Sequence, residues 1–105
     1  YMAAGDRAYA TPARAINAAD RHILLVGELE ADVNNGGFNQ YLDNKGRRRA
    51  TAALRSLEHI GATKTAAMLR EALANSGDEA VLQKLDAKFY RSREDLAVLA
   101  MTTVD

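Results

Sequence analysis

The chain has 105 residues with 14 basic side chains, 14 acidic ones and no cysteine, which bounds it to one domain around a single core. A formal charge of zero excludes both a generic polyanion binder and a strongly acidic protein. The lack of cysteine excludes a disulfide framework, thiolate catalysis and Cys-ligated metals.

Residues 1–10 carry no periodicity and read as a lead-in, with Met2 the expected native start and Tyr1 an added residue. Thr11 and Pro12 predict a helix start, cap followed by proline at the first helical position. From about 13 to 34 only Gly27 interrupts a helical pattern, and its retention suggests close approach of another helix. Ile16, Ile23, Val26 and Val33 mark one apolar stripe, and Leu25 and Leu29 another. The run Ile23 to Val26 is apolar all round, as in a helix buried on several sides. This is the expected central helix.

Glu28, Glu30 and Asp32 close that helix, where carboxylates oppose the helix dipole and need a cationic partner. Asn34, Asn35, Gly36, Gly37, Phe38 and Gln40 follow. Asparagine tolerates left-handed backbone and glycine supplies it freely, so a tight, internally hydrogen-bonded turn is expected, with Gly36 or Gly37 at positive φ. Phe38, Tyr41 and Leu42 then offer apolar surface at helical spacing. The basic run Lys45, Arg47, Arg48 and Arg49 opens the next helix with the dipole problem reversed. The two charged groups are therefore expected to form one intramolecular unit, with Glu30 as the carboxylate most buried and paired.

An αα-hairpin is expected over about 48–75, turning at Gly61 and closed by Gly77, with Leu54, Leu57, Ile60, Leu69 and Leu73 inward. Asp78 should cap a further helix carrying Leu85 and Phe89, and Ser92 a last one carrying Leu96 and Leu99. No segment alternates as a strand does. The fold class is all-α, a compact single domain over 1–105 with five or six helices.

No catalytic, cofactor or metal site is expected. His22 and His59 lack the local spacing of zinc ligands and read as surface or half-buried helix residues. The serines have no credible base beside them. Lys45 to Arg49 is the one nucleic-acid signal, and Thr63, Lys64 and Thr65 would lead the second helix of a helix-turn-helix, though that helix carries few cations. No run reaches the roughly 18 apolar residues of a membrane span, so a cytoplasmic protein is expected.

The stretch Asp32 to Tyr41, with Ala53-Leu54, Ile60-Gly61-Ala62 and Leu85-Asp86-Ala87-Lys88-Phe89-Tyr90, resembles the bacterial DNA-mimic protein family, across roughly residues 20–100. The resemblance implies a compact helical domain without enzymatic activity. It also implies a dimer that engages a transcription factor through an acidic surface imitating DNA phosphates. The zero formal charge departs from that surface. The expected function is therefore a non-catalytic protein-interaction module that departs from a DNA mimic in charge, acting on a protein partner or as a homodimer. The alternatives are a nucleic-acid binder using the basic run, and a small-molecule binder or enzyme of unrecognised type.

Overall fold

The computed structural model describes residues 18–92 and 94–103. They form four helices: α1 (Ala18–His59), α2 (Thr63–Ala74), α3 (Glu79–Arg91) and α4 (Leu96–Thr102). No strand occurs among the described residues. The Thr11-Pro12 start, Ile16 and the lead-in lie outside them.

The all-α class holds, with four helices in place of five or six, because α1 takes in the expected central helix, which ends at Gly36, together with the segments that follow it. α1 runs on to His59 and is broken internally at Gly37 (φ 86°) and Gly46 (φ 81°). Three helical segments result. Side chains of the first and last face each other antiparallel, and the short middle segment turns the chain between them. Asn34, Asn35 and Gly36 still belong to the first segment, so the turn begins at Gly37 alone.

The last segment of α1 and α2 make the expected hairpin. Gly61 sits at φ 82°, its N–H donating to Glu58 O (3.2 Å) and the Ala62 N–H to Leu57 O (2.9 Å). This is the paired bonding that lets a glycine finish a helix. Asp78 caps α3 through the Val81 N–H. Asp95, not Ser92, caps α4, accepting from the Val98 N–H. Ser92 instead ends α3, its own N–H bonded to Phe89 O.

Leu25, Leu29 and Val33, one helical turn apart, bury one face of the first segment. Phe38 and Tyr41 from the middle segment are fully enclosed with them, and Leu57, Leu69, Leu82 and Leu96 come from the rest of the chain. Leu54 and Leu99 are only half-buried. Ile23 departs further from expectation, being 41% exposed. Its face looks towards α4, and seven residues of helix span only about 10 Å, too little to cover it. Gly27 lies on the same side with open space where a Cβ would be, so no close helix approach explains it.

Candidate interaction surface

The glycine motif is one half of a junction whose other half lies on α3. Where Gly37 leaves helical geometry, the Phe38 N–H donates to Asp86 Oδ1 (2.8 Å). The Tyr90 hydroxyl donates to Val33 O on the other side of the break (2.8 Å). Phe38 and Phe89 meet edge to face at 5.8 Å between them. Each side of a broken helix leaves backbone groups unsatisfied, and α3 supplies a carboxylate for one and a hydroxyl for the other. The residues Asn34 to Gln40 and Leu85 to Tyr90 are thus a single structural device. Gln40 packs beside Gly36, while Asn34 and Asn35 are exposed.

A seam of charge closes the antiparallel segments of α1. Arg49 grips Glu28 with both ends of its guanidinium, Nε to Oε1 and Nη2 to Oε2, each at 2.8 Å. One turn along, Lys45 Nζ stands 3.4 Å from Asp32 Oδ2, an ion-pair distance without hydrogen-bonding geometry. The Arg49 hydrogen bonds hold the Glu28 carboxyl below its ordinary value, against a smaller upward push from burial. Beneath the seam the Tyr41 hydroxyl is buried with no hydrogen-bond partner. Burial, reinforced by the Glu28 charge, pushes it up to about 12.

Glu30 takes no part in this. It faces the α4 side and lines a groove there with Ile23, Gly27 and Met101. Glu30 shares a face with Ile23 and Val26, but only Val26 is buried there, and among the described residues no basic side chain lines the groove. Arg47 leaves the seam as well, its Nη1 donating to Leu73 O (2.9 Å) at the carbonyl end of α2, where the dipole favours a cation. Arg48 is exposed. At the seam's open end His22 Nδ1 lies 2.8 Å from Ser56 Oγ, and the His22 and His59 rings stack at 4.6 Å. No cluster of metal-ligating side chains occurs among the described residues.

A family model described as DMP19-like protein matches residues 14–103. The chain belongs to the DMP19-like protein family. This is the DNA-mimic family that the sequence resembles. No curated protein and no solved structure matches it.

In this DMP19-like protein many carboxylates serve the fold itself. Besides Glu28, Asp32 and Asp86, Glu58 pairs with Arg70 (2.6 Å), and Asp78 and Asp95 cap helices. Glu94 caps α2 from a distance, accepting from the Lys64 and Thr65 N–H groups and from the Thr65 hydroxyl (3.1, 2.8 and 2.6 Å). The anion-attracting N-terminus of α2, which a helix-turn-helix would offer to DNA, is therefore filled by the protein's own side chain. Sequence reasoning missed Glu94, because a cap 30 residues away leaves no local signature. It also missed the pairing of Asp86 and Tyr90 with the glycine motif, although their co-occurrence in one family resemblance was the available signal.

Proposed function

We propose that this DMP19-like protein is a non-catalytic protein-interaction module that meets its partner through apolar contact rather than by imitating DNA phosphates. The observation that carries this reading is the uncovered seam between α1 and α4. Ile23 is 41% exposed and Met101 71%, with Val98 52% exposed on the same short helix. Clustered large apolar side chains left in water mark interaction sites more often than isolated ones do. The family's DNA-mimic role supports an interaction function in general. The intramolecular use of Glu28, Asp32, Asp86 and Glu94 argues against a free array of carboxylates.

The test is capture of host proteins on the immobilised chain, wild type against Met101→Asp, at rising salt and with duplex DNA as competitor. Retention by the wild type at high salt and loss with Met101→Asp are expected, since apolar burial is not screened by ions. A partner that is displaced by duplex DNA, and that Met101→Asp still holds, would restore charge mimicry. Light scattering over a range of concentrations shows whether a second copy is itself the partner.

A further inference from the structure

The α1 seam matches acid to base at Asp32–Lys45 and again at Glu28–Arg49. At its open end that rule reverses. Arg21 of the first segment and Arg55 of the last line one cleft of about 350 Å³, together with His22, Ala52, Ser56 and His59. Among the described residues no carboxylate lines it. Two cationic side chains lining one small volume repel each other, and an anion between them relieves that repulsion.

The donors there come from both the first and the last segment of α1 rather than from one helical stripe. Each guanidinium offers a planar fork that suits two oxygens of one phosphate. Ser56 is only 3% exposed, and its hydroxyl fixes the His22 ring through Nδ1. His59 stacks on that ring with 28° between their planes, so both imidazoles are held at the cleft wall. The volume exceeds what a phosphate group fills, given about 30 Å³ for each water displaced, and leaves room for a small organic body.

We propose that this cleft binds a small phosphate monoester, gripped between Arg21 and Arg55 and seated against His22 and His59. A polynucleotide is the competing occupant. Arg48 and Thr51 continue the helical face of Arg55 as a shallower basin, along which successive phosphates could follow. The convergence of both segments of α1 on one point favours the single anion.

The test is titration with inorganic phosphate and with phenyl phosphate at constant ionic strength, chloride being the control, read from the histidine ring resonances by NMR. Saturable shifts of His22 and His59 are expected with both phosphates and not with chloride. Arg55→Gln and Arg21→Gln should each weaken binding about ten-fold, the effect of one lost charge-assisted contact. Both arginines are exposed, so these variants keep the fold, which a thermal melt verifies. Arg70→Gln, which alters an exposed arginine held by Glu58, should leave binding unchanged. The proposal is overturned by an absence of saturable shifts, by equal weakening in Arg70→Gln, or by a response to a single-stranded oligonucleotide and not to the phosphates.

Discussion

Gly36 and Gly37 stand side by side and answer to different constraints. Gly37 is at φ 86°, and a Cβ there would run into the Asp86 carboxylate. Gly37→Ala combines left-handed strain with loss of the Phe38 cap, so denaturant melts should show destabilisation above about 1 kcal/mol. Gly36 has ordinary helical backbone, and the atoms nearest its added methyl belong to the Gln40 side chain, whose carboxamide can swing away. Gly36→Ala should therefore lie within about 0.5 kcal/mol of wild type, since the helical gain offsets the displacement. Tyr41 makes the opposite case to an ordinary buried tyrosine. Its hydroxyl has no partner, so Tyr41→Phe should be neutral or raise the melting temperature, whereas Tyr41→Ala should cost about 3–5 kcal/mol for the cavity.

Among the elements, the seam within α1 has the clearest pH signature. The Arg49 hydrogen bonds hold the folded-state pKa of Glu28 below the ordinary glutamate value. Its contribution is therefore present above that value and disappears as pH falls through the lower folded pKa. Its side chain is 23% exposed and that of Arg49 39%, so solvent screens the pair. Glu28→Gln should cost about 1 kcal/mol at pH 7, with the difference from wild type vanishing in acid. Glu30→Gln should leave the melt unchanged at either pH. The pairing was partly legible in the sequence, because Glu28 and Asp32 are four residues apart, as are Lys45 and Arg49. On antiparallel segments such spacings set Glu28 against Arg49 and Asp32 against Lys45. What the sequence could not reveal was which face α4 leaves open. That depends on how short α4 is, and Glu30 was assigned to the buried side for want of it.

For the molecule as a whole, the hairpin, the Gly61 turn and most of the core follow from helical periodicity and glycine placement, which act locally. The candidate cleft does not. Arg21 and Arg55 belong to unremarkable polar faces until the breaks at Gly37 and Gly46 fold one segment of α1 against the other. The junction at Gly37 has a kinetic counterpart. The Phe38 amide opens the middle segment of α1 and its acceptor is 48 residues away, so solvent protons reach it whenever α3 lifts off. In native-state hydrogen exchange it should open with the amides of α3 rather than with that of Leu29, its neighbour in the core. Asp86→Ala should let it exchange faster while Leu29 keeps its protection. One amide in the longest helix would then serve as the clock for the docking of another.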